Sequence, residues 1–425
     1  MFEPQGTGFF LILIVAFGAL LFWVAVAKQV VFRVFAACLA FIPAMAFGVA
    51  AVNKYYDYYQ TWGAMISDLN GGAANIPGAS EGGFKTSREL QQYLNRSPDA
   101  AEFAEVGQTI DTTVTGPTTH IKRNVLVWLP PQYFQAHYAH YRFPVIELLH
   151  GSPGNPEQWI DALDVVDIYL GLLADHAAQP AVLVMPDTDG GLKYALQCLN
   201  NPGGIQDMTF VAKEVPEKIY QLVRVQPPGK AWGVAGYSEG GYCAANIALN
   251  EPGSYGYAGV ISGYFYPLAS QIPQGGKPGG KPVREYVFSH DPAAALRNTP
   301  NDYVTHISPG VEVPLFWLGA GIDDKGDVLA MYKFASLASI HQTGIPVNVI
   351  PGGGHTGAVW RAALTPMLDW MTPQLTQQAT LAGTGKAPPR TKSGTAPGAK
   401  PSTHPSTHAT VPAKATPPAK RTPKP

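Results

Sequence analysis

The segment AWGVAGYSEGGYCAANIALN, Ala231 to Asn250, passes from a run of small and apolar residues through Gly236-Tyr237-Ser238-Glu239-Gly240 into a stretch with helical patterning. The pentapeptide has the form G-x-S-x-G. In a Gly-rich chain that match alone is weak, and its position between an apolar run and a helix gives it weight. A strand that turns sharply into a helix lifts the serine hydroxyl above the sheet edge, and small residues on both sides let the strained turn close. Ser238 is therefore the candidate nucleophile; the competing reading is a Gly-rich helix start.

Working outward, apolar runs of strand length recur at Val125 to Leu129, Val145 to His150, Ala181 to Pro186, Ala258 to Ser262, Leu315 to Leu318 and Val347 to Ile350. Several are apolar throughout, as expected of strands covered on both faces. Between them, Phe210 to Arg224, Gly240 to Asn250, Asp327 to His341 and Ala358 to Met371 read as helices. Strands alternating with helices predict an α/β fold with a mainly parallel central sheet, over about residues 106 to 375. The Gly- and Pro-rich stretch from Gln271 to Pro282 reads as a surface insertion.

A serine needs a base within hydrogen-bond reach, oriented by a carboxylate. His355 is the best base, because it follows the last apolar run in Pro351-Gly352-Gly353-Gly354-His355, a turn able to bring an imidazole over the sheet edge. His341 lies in a helical segment, His290 and His306 precede the acid candidates, and His150 ends an early strand. The acid is expected after Leu315 to Leu318. There Asp323 is the first choice, with Asp324 and Asp327 as alternatives or as helix caps. An oxyanion hole needs backbone N–H donors. Glu239 supplies one. The loop His150-Gly151-Ser152-Pro153-Gly154 supplies the other, from Ser152 or else Gly151, because Pro153 has no N–H. No metal or nucleotide motif is present, so no cofactor is implied.

The rest of the chain is partitioned by charge. The net charge of −1 over 425 residues hides a +1 balance in residues 1 to 52, −10 in residues 53 to 380 and +8 in residues 381 to 425. Gly8 to Ala27 (GFFLILIVAFGALLFWVAVA) is uncharged and long enough to cross a bilayer, and Val34 to Val52 is a second such run despite Pro43. A cleaved signal peptide would need a basic start, whereas only Glu3 precedes the first run. Lys28 and Arg33 flank the short connection and mark it as cytoplasmic, which places the chain beyond Val52 outside. The alternatives are the opposite topology and a hairpin buried in a soluble protein. Tyr55, Tyr56, Tyr58, Tyr59 and Trp62 then form an interfacial aromatic belt.

Residues 53 to 105 combine this belt with a Gly/Ala-rich linker (Asn70 to Gly83) and a short polar helix near Ser87 to Leu94. From about Leu381 the chain is a disordered Pro/Thr/Lys tail with a PSTHPSTH repeat, a spacer or else a contact for anionic wall polymer. A nucleic-acid partner is excluded by the acidic central segment and by a basic tail without aromatic residues. Three cysteines exclude a disulfide-built scaffold, leaving Cys198 and Cys243 as the one possible intradomain pair or as buried thiols.

The motifs LLHGSPGN, GYSEGGYCAAN, FWLGAGIDD and GGGHTGAVW resemble the α/β-hydrolase esterase family that includes feruloyl esterases, esterase D and the antigen 85 mycolyltransferases. A double membrane anchor and a Pro/Lys-rich tail around such a domain look like actinobacterial cell-envelope members. The resemblance implies an α/β-hydrolase fold and acyl-ester chemistry through an acyl-serine. It carries nucleophile onto Ser238, base onto His355, acid onto Asp323 and oxyanion donors onto Ser152 and Glu239. Two departures stand out. Glu239 sets a carboxylate beside the oxyanion hole, where it is expected to raise the histidine pKa or to oppose anionic substrates. The aspartate and the anchors differ from antigen 85, which does not support mycolyl transfer to trehalose. The expected function is a membrane-anchored extracytoplasmic serine esterase, with an acyltransferase acting on a sugar or polymer hydroxyl and an inactive envelope-binding scaffold as alternatives.

Overall fold

A computed structural model of the chain describes residues 2–56, 58–59, 61–69, 84–97, 99–190, 196–201, 204–268, 288 and 291–382. The expected linker from Asn70 to Gly83, the insertion from Gln271 to Pro282 and the tail beyond residue 382 lie outside the described residues.

Eight strands form one sheet: β1 (Gln108–Thr115), β2 (Lys122–Leu129), β3 (Val145–Leu149), β4 (Val182–Pro186), β5 (Gly229–Tyr237), β6 (Tyr255–Ile261), β7 (Leu315–Gly321) and β8 (Val347–Ile350). Their spatial order is β1-β2-β4-β3-β5-β6-β7-β8. The β1/β2 and β2/β4 pairs are antiparallel and the remaining pairs parallel. This is the mainly parallel α/β-hydrolase sheet expected from the sequence. β3 and β5, which carry the candidate oxyanion loop and Ser238 at their C-terminal ends, are adjacent in it.

Among the described residues, the helices that cover the sheet or form the N-terminal hairpin include α1 (Thr7–Val26), α2 (Val30–Tyr56), α3 (Val165–Ala174), α4 (Val215–Leu222), α5 (Glu239–Asn250), α6 (Lys325–Ala338) and α7 (Gly357–Leu381). The sheet is covered on both sides. Val125, Val127 and Leu129 of β2 join a core with Ile219 of α4, Ile247 of α5 and Phe334 of α6, whereas Leu126 and Trp128 join Tyr169 of α3 and Met367 and Met371 of α7 on the other face. Burial on both faces is why these strands are apolar throughout.

Three of these elements differ from the sequence expectation, and α3 (Val165–Ala174) is one that the sequence reading does not single out. β1 has only Ile110 and Val114 as buried apolar residues in a Thr-rich stretch at the sheet edge, so it carries no continuous apolar run. α7 continues past Met371 to Leu381 despite Pro366 and Pro373. Each proline removes one backbone bond, and burial of Leu375 and Ala379 offsets that loss.

α1 and α2 pair as a hairpin, and both are long and apolar enough to cross a membrane, with mean hydropathies of 2.9 and 2.2. Leu11, Val15 and Phe22 on α1 and Phe41, Ile42 and Met45 on α2 are all more than half exposed, so the reading of a hairpin buried in a soluble protein is not met. Apolar surface of that extent marks contact with lipid or another protein.

Candidate active site

The G-x-S-x-G spacing follows from steric crowding at the β5–α5 turn. Ser238 sits at φ 56° and ψ −119°, a positive-φ backbone that L-residues avoid, and its N–H donates to the Ile261 carbonyl at 2.9 Å. A Cβ at Gly236 would lie 2.2 Å from the Gly240 carbonyl oxygen, and one at Gly240 would lie 2.0 Å from that of Leu149. Only glycine lets β3, β5 and the start of α5 approach this closely. Gly240→Ala is accordingly expected to lower folding stability by about 3 kcal/mol, measurable as a shift in the denaturant midpoint.

The structure brings Ser238 and His355 together as the sequence expectation requires: His355 Nε2 lies 2.8 Å from Ser238 Oγ. The carboxylate facing His355 Nδ1 belongs to Asp327, with Oδ2 at 2.8 Å, and Asp324 Oδ2 stands at 3.3 Å. The choice of Asp323 as the acid is corrected by this geometry. Its side chain is exposed, and its backbone N–H is spent on the Gly353 carbonyl at 3.0 Å. Asp324 caps α6, accepting from the Asp327 N–H at 3.1 Å, and the three-residue step of the first helical turn swings Asp327 onto the same face. The loops carrying acid and base are pressed together, since a Cβ at Gly321 would meet the Gly353 and Gly354 carbonyl oxygens at 2.5 Å. Asp324, Asp327 and His355 are also the described residues whose possible metal-ligand atoms lie within 4.8 Å of one another. The hydrogen bonds of the acid and base account for that proximity.

Sequence reasoning missed Trp360, five residues beyond His355 in the GGGHTGAVW motif. Its ring meets the imidazole edge-on at 5.2 Å and stacks on Tyr237 at 4.5 Å, bracing the base against the nucleophile turn.

Burial lowers the His355 pKa, but the hydrogen bond and charge of Asp327, with the charge of Asp324, outweigh it and hold the imidazole above its ordinary value of 6.5. A base acts in its neutral form. The acid limb of kcat/KM is therefore expected above the ordinary imidazole range, with activity rising as pH increases through it. A pH profile of ester turnover checks this.

The candidate oxyanion loop is held from below. His150 is fully buried, and the Thr188 N–H donates to its Nε2 at 3.0 Å. Its Nδ1 donates to the Gly151 carbonyl at 2.8 Å. In a trans peptide the C=O and the following N–H point in opposite directions, so the Ser152 N–H is turned away from this buried imidazole. Gly151 itself abuts the nucleophile turn, where an added Cβ would lie 2.8 Å from the Tyr237 ring and 3.2 Å from Ser238 Cβ. The Glu239 N–H opens α5, where the first N–H groups have no intrahelical acceptor.

The Glu239 side chain turns away from this site, contrary to expectation. It is 2% exposed, its Oε1 accepts from the Gln197 N–H at 2.7 Å, and burial with the nearby Asp189 charge pushes its pKa well above the usual carboxylate range. The charges that raise His355 are those of Asp327 and Asp324. Behind Glu239 a disulfide joins Cys198 to Cys243 of α5, and Arg123 pairs with the buried Asp207 at 2.5 Å. These contacts fix the floor under the nucleophile helix.

Comparison with known proteins agrees with this geometry. The family described as "Putative esterase" matches residues 116–371, more than half of the chain. The chain belongs to this esterase family. An uncharacterised protein of Corynebacterium glutamicum is 26% identical over 330 residues, covering 76% of this chain and 72% of that protein. The MPT51 antigen of Mycobacterium leprae is 37% identical over 70 residues, 16% of this chain and 23% of the antigen. Among solved structures, a ferulic acid esterase superposes with a TM-score of 0.52 at 21% identity, covering 64% of this chain and 98% of that one, a likeness of fold. The chain is thus an enzyme of the esterase family with an α/β-hydrolase fold.

Proposed function

We propose that this esterase-family chain is a membrane-anchored serine esterase. In this reading Ser238 attacks an acyl ester, His355 takes the hydroxyl proton and returns it to the leaving alcohol, and Asp327 holds the Nδ1–H tautomer and stabilises the imidazolium. Negative charge developing on the ester oxygen is received by the Ser152 and Glu239 N–H groups. Water, activated by His355, then releases the acid and restores the serine. The observation that carries the reading is the pair of 2.8 Å contacts from the two His355 nitrogens to Ser238 Oγ and Asp327 Oδ2, on a serine already raised by the β5–α5 turn.

The exposed apolar faces of α1 and α2 support a bilayer-spanning hairpin, and Lys28 and Arg33 beside its connection favour the esterase domain on the exterior face. Alkaline carbonate should then leave the protein in the membrane fraction, and detergent should release it.

The full-length protein in detergent is expected to release nitrophenol from short-chain p-nitrophenyl esters in a burst that matches the enzyme concentration, followed by steady release of free acid. A rate without a burst and unaffected by phosphonate inhibitors contradicts the acyl-serine reading. Product that is almost wholly ester, transferred to an added sugar acceptor, replaces hydrolysis by acyl transfer.

A further inference from the structure

The outer end of the hairpin is tied together by hydrogen bonds. Lys54 Nζ donates to the Gln5 carbonyl at 3.0 Å, Gln5 Nε2 to the Tyr59 carbonyl at 3.1 Å, and the Trp62 N–H to Glu3 Oε2 at 3.0 Å. The Asn53 side chain brackets Tyr59, accepting from its N–H at 2.7 Å and donating to its carbonyl at 2.9 Å. Tyr58 is thereby presented two residues beyond the end of α2 on a fixed mount.

From that mount the Tyr58 hydroxyl donates to the Pro153 carbonyl of the oxyanion loop. The same hydroxyl accepts from Gln158 Nε2 at 3.4 Å, a longer contact. Gln158 is buried, and its Oε1 accepts from the Tyr237 hydroxyl at 2.6 Å, next in sequence to Ser238. One hydroxyl therefore links the loop that offers Ser152 with the turn that offers Glu239. Those two segments must keep a fixed separation for both N–H groups to reach one oxygen, because donors arranged in advance of the reaction are what lower its barrier. The Ser152-Pro153-Gly154 stretch is otherwise a partly exposed loop.

We infer that Tyr58 is a positioning residue of the esterase site, so that the membrane hairpin helps to set the oxyanion geometry as well as anchoring the domain. This rests on the serine-esterase reading above. It predicts a loss in the chemical step with little change in substrate binding, since Tyr58 braces the donors and does not reach the reacting atoms.

The test compares full-length wild type, Tyr58→Phe and Tyr55→Phe in the same detergent micelles. Tyr55 lies near the end of α2 and is 74% exposed. Three readouts are taken: kcat and KM for p-nitrophenyl butyrate, the second-order rate of fluorophosphonate labelling, and the thermal unfolding midpoint. Removing the hydroxyl breaks its hydrogen bond to Pro153 and the longer contact from Gln158, which together correspond to about a five- to tenfold change. Tyr58→Phe should therefore lower kcat and the labelling rate by that factor, keep KM within about twofold, and unfold with the wild type, whereas Tyr55→Phe should match wild type throughout. Wild-type kcat and labelling in Tyr58→Phe would overturn the inference, as would a loss explained wholly by less folded protein. Failure of the wild type itself to label overturns the serine reading instead, and this inference with it.

Discussion

Ser238→Ala in the full-length chain is expected to lower kcat for p-nitrophenyl esters by on the order of 10^5- to 10^6-fold while leaving the unfolding midpoint near that of the wild type. The size of the loss follows from covalent chemistry, since without the hydroxyl no acyl-enzyme forms and only the oxyanion donors and binding remain. The small effect on folding follows from the local structure. The strain at Ser238 lies in its backbone, at φ 56°, and alanine meets the same Cβ penalty as serine, so the substitution neither relieves nor adds to it. The Oγ contact with His355 is the main loss, a single partly buried hydrogen bond worth about 1 kcal/mol. Steady-state kinetics alongside thermal unfolding check both halves. A variant that keeps more than about a hundredth of wild-type kcat would place the nucleophile elsewhere.

The second large effect distinguishes the three aspartates that follow β7. Replacing a lone orienting acid by its amide costs about 10^4-fold in kcat, because the imidazole then settles in the wrong tautomer. Here Asp324 stands 3.3 Å from the same nitrogen, so Asp327→Asn leaves one carboxylate behind. Asp327→Asn is expected to lose about 10^2-fold, and the Asp324→Asn/Asp327→Asn double variant about 10^4-fold. Asp323→Asn should stay within about twofold of wild type, since its side chain is exposed and makes no contact with the imidazole. The pH profile gives a second reading of the same geometry. Removing the Asp327 charge weakens the interaction that holds His355 above its ordinary pKa, so the acid limb of the remaining activity should move to lower pH. A limb that stays in place in Asp327→Asn and moves in Asp323→Asn would return the role to Asp323.

The sequence is most informative where backbone geometry dictates residue type. Gly236 and Gly240 are glycines because any Cβ there strikes a carbonyl oxygen, so the nucleophile turn is written into the chain. The central strands are legible for a related reason, since burial on both faces leaves little room for polar side chains. β1 escapes because an edge strand buried through Ile110 and Val114 alone carries a pattern that loops share. The acid escapes because three aspartates within five residues are chemically alike, and what separates them is which one the first turn of α6 carries toward Nδ1.

Glu239 gave the opposite error. Its position next to Ser238 suggested a carboxylate in the site, but the first residue of a helix sends its side chain and its N–H in different directions. The side chain is buried against Gln197, leaving the N–H at the open start of α5. Tyr58 was readable only as one of a cluster of aromatic residues beside a membrane span. Its contact with Pro153 joins residues 95 positions apart, a separation that no local pattern encodes.

Ser238, His355 and Asp327 are held to form one working acyl-transfer unit. The most direct measurement is labelling of the folded full-length protein with a fluorophosphonate, with the modified residue located by peptide mass mapping. Stoichiometric modification at Ser238 is expected, and its loss in His355→Ala. A folded protein that resists labelling, or that labels equally well without His355, would contradict the proposed unit.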